Sequence, residues 1–484
     1  MTTTAKEDGH VPRVVIIGGG FAGLEAAKVL GNKPVEVIVI DRTNHHLFQP
    51  LLYQVATAAL APTDVATPIR HILRKYKNVS VMLAEVKEID PERKVVVFDE
   101  ERDELAFDYL LLATGTRHGY FKNPEWEQVA PGLKTINDAM EIRQRFLMAF
   151  EEAEKREIER DELERKARNE AGAPPLSFEQ RRATAEARKA AEDRDAFLTF
   201  VIVGAGPTGC ELSGTIPEVA RKSMHNDFRR IDTNAVRVIL VEAGPRILPQ
   251  FPEDLAEKAQ RDLENLGVEI RTGDPVVRLE NDCVYLKSGD AIPTKTIIWA
   301  AGNVASPLAK NLTDQLDRAG RVKVEKDLSV PGRPEIFVAG DLMYFDMGEN
   351  KLVPGVAQGA IQSGTVAGRN ILHRIYGEGT DPFSYWDKGN LAVIGRGKAI
   401  ADLHFAKVSG FIAWCIWLFI HILYLVGFRN RLSVLIQWSY SYLFFQRGAR
   451  LIQPEGAQER VFAAKPAAPK EFNPGAKETR QVWQ

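Results

Sequence analysis

Cysteine is scarce in this chain, and its scarcity excludes several kinds of chemistry at once. Only Cys210, Cys283 and Cys415 occur among 484 residues, and they lie far apart. No pair has the close spacing of a thiol redox motif or of zinc ligands. The nine histidines show no spacing typical of metal ligands either. The sequence therefore predicts no disulfide framework, no thiol redox pair and no metal site.

An excess of charge of one sign is also lacking. The formal net charge is −2 at pH 7, from 63 basic and 65 acidic side chains. Nucleic-acid-binding proteins usually carry a basic face, so this near balance argues against such a partner. The first ten residues, MTTTAKEDGH, contain no apolar run of the kind found in secretory signals. We therefore expect the catalytic body to stay in the cytoplasm.

The sequence does contain one glycine motif in two copies. The stretches RVVIIGGGFAGLEAAKVL (13–30) and TFVIVGAGPTGCELSGTI (199–216) each predict a buried strand, a glycine turn and a helix. The pattern GxGxxG falls between strand and helix in both, on Gly18, Gly20, Gly23, Gly204, Gly206 and Gly209. Its three glycines make the turn, admit a pyrophosphate and let the helix pack on the strand. Each copy therefore predicts a dinucleotide whose phosphates lie at a helix N-terminus.

An acidic residue ends the second strand of each copy. The stretch EVIVID places Asp41 there, and VRVILVE places Glu242 there. A carboxylate at this position accepts hydrogen bonds from ribose hydroxyls and repels a 2′-phosphate. Three further strands end in glycine, in DYLLLATG (108–115), TIIWAAG (296–302) and EIFVAGD (335–341). Such endings let the backbone pass close to a flat cofactor, so we expect cofactor contacts in both halves of the chain.

Residues 151–195 form a strongly charged stretch, in which 25 side chains are charged and few are apolar. Two helix-forming halves meet at Ala173-Pro174-Pro175. This pattern predicts a solvated helical hairpin, and a surface that docks a partner is the alternative.

Near the C-terminus the run FIAWCIWLFIHILYLVGF (411–428) has no formally charged residue. Spanning a bilayer takes about 20 apolar residues, so this run is borderline. A second run, 432–445, is shorter and carries polar residues that include Gln437, Ser439 and Ser441. We expect a monotopic pair of interfacial helices, and a spanning first helix is the alternative. The residues expected at the membrane boundary are Trp414, Trp417, Tyr424, Trp438 and Tyr440, with Arg429, Arg431, Arg447 and Arg450 at the level of the headgroups.

These motifs together resemble the two-dinucleotide-binding-domain flavoproteins. Within that family the chain is most similar to the type II NADH dehydrogenases, which are single-chain, non-pumping NADH:quinone oxidoreductases. The closer likeness lies in NHHLFQPLLYQVATA (44–58), ATG (113–115), GPTGCELSG (206–214), AGD (339–341), AQGAIQ (357–362) and GFRNR (427–431). It extends over about residues 12–452, although the charged hairpin is longer than the usual family connection.

The resemblance implies an α/β fold with two Rossmann-like dinucleotide-binding domains, as in glutathione reductase, and a C-terminal helical membrane-anchoring region. The expected domains are a first FAD-binding part at 12–135, a helical connection with the charged hairpin at 136–196, an NADH-binding domain at 197–325, a second FAD-binding part at 326–400, membrane-docking helices at 401–452 and a polar tail at 453–484.

The resemblance also implies which residues bind the cofactors. The FAD residues would be Gly18, Gly20, Phe21, Ala22, Gly23, Asp41, Arg42, Val86, Thr114, Gly115, Gly340, Asp341, Ala357 and Gln358. The NADH residues would be Gly204, Gly206, Gly209, Glu242 and Gly302. Among these, Asp41 would bind the adenosine ribose of FAD, and Asp341 would bind its ribitol.

Three residues are candidates for the chemistry itself. Glu211 lies two residues beyond Gly209, where we expect the first helical turn, and family members have a glutamate there beside nicotinamide and flavin; a simple helix-dipole partner is the alternative. Gln358 and Gln362 are four residues apart and so share a helical face. Neutral amides can hydrogen-bond a quinone carbonyl without bringing charge into an apolar slot, and two solvated glutamines are the alternative. We expect this helix to begin near Pro354-Gly355 and to point its positive end at the flavin.

The sequence thus predicts an enzyme that moves a hydride from NADH to FAD and then two electrons to a membrane quinone, ubiquinone or menaquinone. We expect it at the cytoplasmic face of the plasma membrane, bound to the bilayer surface, with a homodimer left open. Alternatives are a sulfide:quinone oxidoreductase, a soluble ferredoxin or rubredoxin reductase, and a flavin-bound redox sensor or scaffold.

Overall fold

The computed structural model describes residues 10–98, 103–169, 178–348, 351–444 and 450–452. Its α-helices in these ranges are α1 (Phe21–Leu30), α2 (Leu52–Ala56), α3 (Pro62–Val65), α4 (Ile69–Leu73), α5 (Ile136–Asn169), α6 (Phe178–Phe197), α7 (Pro207–Glu218), α8 (Glu253–Asn265), α9 (Ala357–Tyr376), α10 (Phe411–Tyr424) and α11 (Phe428–Phe444).

The strands within the described ranges form eight sheets of two to six strands. In chain order they are β1 (Arg13–Ile17), β2 (Glu36–Asp41), β3 (His45–Leu47), β4 (Ala66–Pro68), β5 (Val79–Leu83), β6 (Glu88–Asp90), β7 (Val95–Val97), β8 (Glu104–Ala106), β9 (Tyr109–Leu112), β10 (Thr116–His118), β11 (Thr199–Val203), β12 (Arg237–Glu242), β13 (Val268–Thr272), β14 (Val276–Glu280), β15 (Cys283–Leu286), β16 (Ala291–Pro293), β17 (Thr296–Trp299), β18 (Asn303–Ala305), β19 (Val322–Lys323), β20 (Ser329–Val330), β21 (Arg333–Val338), β22 (Met343–Tyr344), β23 (Asn390–Gly395), β24 (Lys398–Asp402) and β25 (Lys407–Gly410).

The largest sheet joins the beginning of the chain to a much later segment. Its six strands run in the order β20-β21-β9-β1-β2-β5, and all neighbouring pairs except β20 with β21 are parallel. The central strand β1 is apolar and buried, as expected for a parallel sheet covered on both faces. Helices α1 and α9 pack so closely that a Cβ at Gly364 would lie 2.1 Å from the carbonyl oxygen of Ala22. One Rossmann-like unit is therefore built from two separate parts of the chain.

The second unit repeats this plan between those two parts. Its four strands run in the order β13-β12-β11-β17, and all are parallel. In the first unit, the strand before the glycine loop, β1, lies between β2 and β9. In the second unit, the corresponding strand, β11, lies between β12 and β17. This arrangement is a topological switch point, where a crevice opens at the carboxyl ends of the strands. The two crevices lie where the two glycine motifs are.

The charged stretch lies on two long helices, as predicted. The first part of α5 is apolar on one side and buries Ile142, Phe146 and Phe150 in the core. Further along, Arg194 of α6 donates to Glu157 of α5 at 2.6 Å. The predicted break at 173–175 lies outside the described residues.

The C-terminal region begins with a three-stranded antiparallel sheet, β23-β24-β25. The expected domain boundary between residues 400 and 401 falls inside β24 of this sheet. Helix α10 packs on β24, and α11 packs on α3. None of the helices in the described ranges is long and apolar enough to cross a membrane.

The two arginines expected between the apolar runs lie at the beginning of the second C-terminal helix. Because α11 begins at Phe428, Arg429 and Arg431 lie in its first turn. The Arg431 guanidinium donates to the carbonyl oxygens of Leu425 and Leu423 at 2.7 Å each. Arg431 therefore caps the end of α10, whereas Arg429 is exposed, and their expected position at headgroup level stays a prediction.

Candidate functional site

The first glycine loop connects β1 to α1, and each of its glycines is needed for a different reason. Gly18 has a φ of +106°, which L side chains rarely adopt. A Cβ at Gly23 would lie 1.9 Å from the carbonyl oxygen of Gly18, so this glycine lets α1 pack on the loop. Gly20 has an ordinary φ of −71° and no atom within 4 Å of its Cβ position. Folding alone does not require a glycine at position 20.

The second loop, between β11 and α7, has the same three environments. Gly204 has a φ of +102°, and a Cβ at Gly209 would lie 1.9 Å from the carbonyl oxygen of Gly204. Gly206 is again open, with a φ of −71°. The open glycine stands in both loops at the N-cap of the helix, where a phosphate binds free backbone amides. Both loops therefore fit a dinucleotide pyrophosphate.

Each acid at the end of the second strand is fixed beside its own glycine loop. Asp41 Oδ2 accepts a hydrogen bond from the Gly19 amide at 2.6 Å. Glu242 Oε2 accepts one from the Ala205 amide at 2.7 Å. Carboxylate oxygens have further lone pairs, so both acids can still accept from a ribose hydroxyl. The two sites are alike in geometry, as the two sequence motifs predict.

The remaining residues assigned to FAD lie around the first crevice or at its rim. Gly115 has a φ of +65° and an open Cβ position, and the hydroxyl of Thr114 is buried without a hydrogen-bond partner. A Cβ at Gly340 would contact Ala22 at 3.3 Å, so the AGD stretch lies against the start of α1. Arg42 is exposed next to Asp41, Val86 is buried, and Ala357 is the first residue of α9.

Asp341 shows most directly that a polar ligand fits this crevice. Its carboxyl has no hydrogen-bond partner within the part of the chain that the structure describes. Burial raises the pKa of this carboxyl, and the charges of Lys134 and Arg321 oppose the rise. A carboxylate without partners in such a place is costly unless a ligand supplies donors. Together with Thr114 and the open Gly20, this arrangement fits FAD.

Phe21 marks the side of the crevice that faces the C-terminal helices. Its ring meets His46 edge-on at 4.9 Å and Phe48 at 6.0 Å. Phe48 in turn contacts His421 of α10 at 6.2 Å. An aromatic path therefore leads from the first residue of α1 to α10.

Glu211 lies at the junction of the second unit and the C-terminal sheet. It is 9% exposed, and the Val393 backbone amide of β23 acts to lower the pKa of its carboxyl. Burial nevertheless raises the pKa of its carboxyl well above the ordinary value. The expected position in the first helical turn is wrong, because α7 begins at Pro207 and Glu211 is its fifth residue. Desolvation by burial therefore affects the pKa of Glu211 more than the helix dipole does, and it acts in favour of the protonated form.

The side-chain amides of Gln358 and Gln362 both contact the segment that precedes β23. Gln362 donates to the Trp386 carbonyl and accepts from the Trp386 amide, at 2.9 Å each. Gln358 donates to the Gly389 carbonyl at 3.1 Å and accepts from the Lys388 amide at 3.2 Å. Their helix begins at Ala357, two residues later than expected, with Val356 as the N-cap. They share a face, as predicted, and this face holds a piece of backbone.

The two C-terminal helices expose an apolar face. Its most exposed members are Phe411, Ile412, Phe419, Leu423, Phe428, Leu432, Leu435 and Ile436. Tyr424 and Tyr440 are exposed beside it, whereas Trp414 and Trp438 are partly buried. The expected boundary position of Trp417 is wrong, because this side chain is 2% exposed and stacks on His421 at 4.2 Å. Trp417 packs with the core instead.

Polar contacts attach α11 to the first unit, and sequence reasoning missed them. Asp64 accepts from Ser433 at 2.9 Å and from Gln437 at 3.0 Å. The Trp438 indole donates to Gln54 at 2.7 Å. Gln54 lies in the stretch 44–58 that carries the family likeness, so this stretch could have pointed to it. No local pattern predicts the contact of Asp64 with α11, since its two donors on that helix are 369 and 373 residues away.

The three cysteines lie on different elements and are free: Cys210 on α7, Cys283 on β15 and Cys415 on α10. No group of three acidic, histidine or cysteine side chains placed to hold a metal is found in the described ranges. The expected absence of a sulfide-oxidising cysteine pair therefore agrees with the positions of these three thiols.

The fold and the two glycine loops define a class of protein. Residues 12–364 match the family profile "Pyridine nucleotide-disulphide oxidoreductase", and the chain belongs to this class of two-dinucleotide flavoproteins. Residues 387–447 match the "NDH2 C-terminal domain". The chain is 40% identical to "Type II NADH:quinone oxidoreductase Ndh" of Mycobacterium tuberculosis, over 93% of this chain and 92% of that protein. Within the class, the chain belongs to the type II NADH:quinone oxidoreductase family.

A second relative agrees with this assignment, and a solved structure has the same fold. A second protein of Mycobacterium tuberculosis, "Type II NADH:quinone oxidoreductase NdhA", is 41% identical over 93% of this chain and 91% of its own length. The structure of NDH2 from Plasmodium falciparum in complex with NADH superposes with a TM-score of 0.75, at 19% identity, over 91% of this chain and 99% of that chain. The structural likeness, at this identity, is one of fold.

Proposed function

We propose that this protein oxidises NADH and reduces a membrane quinone, without pumping protons. The two complete dinucleotide sites in one chain, each with its own acid, are the observation that carries this proposal. FAD supplies the redox chemistry when bound, because its ring takes a hydride from NADH and passes two electrons on. The chain itself supplies binding, orientation and control of charge.

The first unit holds FAD and the second holds NADH in this proposal. Beside the open Gly20, FAD would meet the Thr114 hydroxyl, which is buried without a hydrogen-bond partner among the described residues, and the carboxyl of Asp341, whose pKa burial raises. At the second loop, the carboxylate of Glu242 faces the ribose of the coenzyme. Because a 2′-phosphate would be repelled there, the enzyme prefers NADH to NADPH. The other domain limits in this proposal are those expected from the sequence, but the C-terminal unit starts before β23, because the expected boundary between residues 400 and 401 falls inside β24.

Glu211 contributes a buried carboxyl, with a pKa raised by burial, at the junction between the NADH unit and β23. Its raised pKa favours a protonated carboxyl, which donates one hydrogen bond as well as accepting others. It can therefore orient the carboxamide of the nicotinamide, or hold a proton, without placing a charge near the reacting atoms.

The exposed face of α10 and α11 docks the enzyme on the bilayer surface in this proposal. Phe428 is 81% exposed and Phe419 is 65% exposed, beside the cation of Arg429. Apolar side chains flanked by cations and tyrosines suit the boundary between headgroups and acyl chains. We place this surface at the cytoplasmic face of the membrane. A second copy of the chain, forming a homodimer, is the alternative occupant of the same face.

Rapid mixing of the FAD-loaded protein tests the enzymatic proposal. NADH should bleach the flavin absorbance, and a short-chain quinone should restore it within one turnover. Steady turnover with both substrates is the expected result. A redox sensor would reduce its flavin once and then stop, and a ferredoxin reductase would turn over only with a small iron–sulfur protein.

Vesicle sedimentation tests the docking surface. Leu423→Glu with Phe428→Glu should release the protein from vesicles while leaving turnover with a water-soluble acceptor intact. Leu83→Glu is the matched control, since Leu83 is 60% exposed on β5 of the first unit. Retained vesicle binding by the double variant would refute the docking surface. Loss of a dimer on size-exclusion chromatography would assign the face to a second copy instead.

A further inference from the structure

Residues 385–389, which we name the strap, connect the end of the FAD unit to β23. Four hydrogen bonds join the strap backbone to α9, and all four come from the Gln358 and Gln362 side chains. An amide side chain offers one carbonyl and one NH2 group, which match the C=O and N–H of a peptide unit. The two glutamine side chains therefore give the strap backbone the kind of hydrogen bonds that a neighbouring β-strand would give.

The other side of the strap contacts the C-terminal helices and sheet. Lys388 Nζ donates to the Tyr424 hydroxyl of α10 at 3.0 Å and lies 5.2 Å from the centre of the Trp386 ring. Asp387 pairs with His404, in the turn between β24 and β25, at 3.2 Å. The strap thus bridges α9, which begins at the FAD crevice, and α10, which carries the exposed apolar face.

This arrangement restricts what the glutamines can do for an acceptor. Each amide already uses its oxygen and one N–H on the strap. Lys388, by contrast, is exposed, and the Tyr424 hydroxyl that accepts from it retains its own proton to donate. A quinone carbonyl needs a donor, and a hydroxyl polarised by an ammonium group is a strong one.

We propose that the strap is a wall of the quinone site, that Gln358 and Gln362 are positioning residues which hold it, and that the Lys388–Tyr424 pair donates to a quinone carbonyl. This inference rests on the proposed quinone reductase function and deepens it. The glutamines act on the acceptor through the strap, and the pair on α10 is what the acceptor contacts.

Amide hydrogen exchange on the FAD-loaded protein, without quinone, tests the role of the glutamines. Gln362→Ala should make the Trp386 amide exchange at least tenfold faster, and Gln358→Ala should do the same for Lys388, because these amides donate to the lost oxygens. Gln362→Glu keeps the acceptor oxygen, so the Trp386 amide should remain protected. Gln260→Ala is the control, because Gln260 bonds only a neighbouring side chain on α8. Unchanged exchange in both alanine variants would overturn the positioning role.

Reoxidation of the NADH-reduced enzyme by a short-chain quinone tests the donor pair. Lys388→Met and Tyr424→Phe should each raise the KM for quinone at least fivefold, and the double variant should be little worse than either single one. Flavin reduction by NADH should not change in any of them. The control is Lys407→Met, which removes an exposed lysine paired with Asp254 on the neighbouring sheet.

The remaining outcomes also decide the question. If the glutamine variants slowed flavin reoxidation but did not speed amide exchange, the two glutamines would be direct quinone ligands. The positioning role would then be wrong. An unchanged KM for quinone in Lys388→Met and Tyr424→Phe would refute the proposed role of this pair as donor to the quinone. A wild-type protein that reduces no quinone would refute the proposed function itself, while the exchange experiment, which needs no quinone, would still report on the strap.

Discussion

The substitution Gly206→Ser tests which dinucleotide each glycine loop binds. Gly206 is the N-cap of α7, where serine is as favourable as glycine. Its backbone is ordinary and no atom lies within 4 Å of its Cβ position. We therefore expect the free energy of unfolding to change by no more than about 0.5 kcal/mol. The added Cβ and hydroxyl would instead occupy the approach of a pyrophosphate.

The magnitude follows from the cost of crowding a close contact. Extra atoms in a packed contact typically cost about 1–3 kcal/mol. Since about 1.4 kcal/mol is tenfold in affinity, NADH should bind roughly 5- to 150-fold more weakly. FAD content should stay at that of the wild type, because FAD belongs to the other loop. Gly20→Ser, at the matching N-cap of α1, should show the opposite pattern.

The assay combines three measurements on the same preparation. Flavin released by heating gives FAD content, the dependence of flavin reduction rate on NADH concentration gives the coenzyme affinity, and thermal unfolding gives stability. Gly379→Ser, in open space outside both loops, is the neutral control. Gly209→Ser is the folding control, because its Cβ would lie 1.9 Å from the Gly204 carbonyl oxygen. If Gly206→Ser lost FAD and kept its NADH affinity, the assignment of the loops would be refuted.

Three further predictions test single acids. Asp341→Ala should lose most of its FAD, because the hydrogen bonds that this carboxyl would make to the ribitol, about 1 kcal/mol each, would go; full flavin content after purification would contradict its role. Glu242→Gln should narrow the preference for NADH over NADPH in kcat/KM, and an unchanged ratio would argue against the repulsion. For Glu211 the folded protein binds a proton that the unfolded chain releases. Its contribution to stability therefore falls as pH rises above its ordinary pKa of 4.5, by up to about 1.4 kcal/mol per pH unit. Denaturant titrations of Glu211→Gln across pH should lack this slope, and an equal slope would show that another group titrates.

The attachment of α11 bears on any truncation of the C-terminus. Trp417 and Val434 are buried in the same core as the second unit, and β25 pairs with β24. Deletion from Ser409 would therefore remove half of a strand and uncover apolar core as well as the docking face. Substitutions on the exposed face are the cleaner way to separate membrane binding from folding.

The sequence by itself determined the two dinucleotide units. A strand, three spaced glycines and a helix lie within about twenty residues, and the requirements of the tight turn act locally on the backbone. The positive φ of Gly18 and Gly204 and the acid at the end of β2 and β12 follow from that local pattern. The turns after β9, β17 and β21 were predictable for the same reason, since the glycines that follow these strands, Gly115, Gly302 and Gly340, all have positive φ.

Only the tertiary structure decided the raised pKa of Glu211, the contacts of Gln358 and Gln362, and the burial of Trp417. Glu211 is buried because β23, which begins 179 residues later, packs on α7 so closely that a Cβ at Gly214 would lie 1.7 Å from the Ile394 carbonyl oxygen. The spacing of the two glutamines predicts a shared face, but the strap that covers this face comes from a separate stretch of chain. Desolvation and hydrogen-bond partners depend on which distant segments pack together, and no local pattern of residues encodes that.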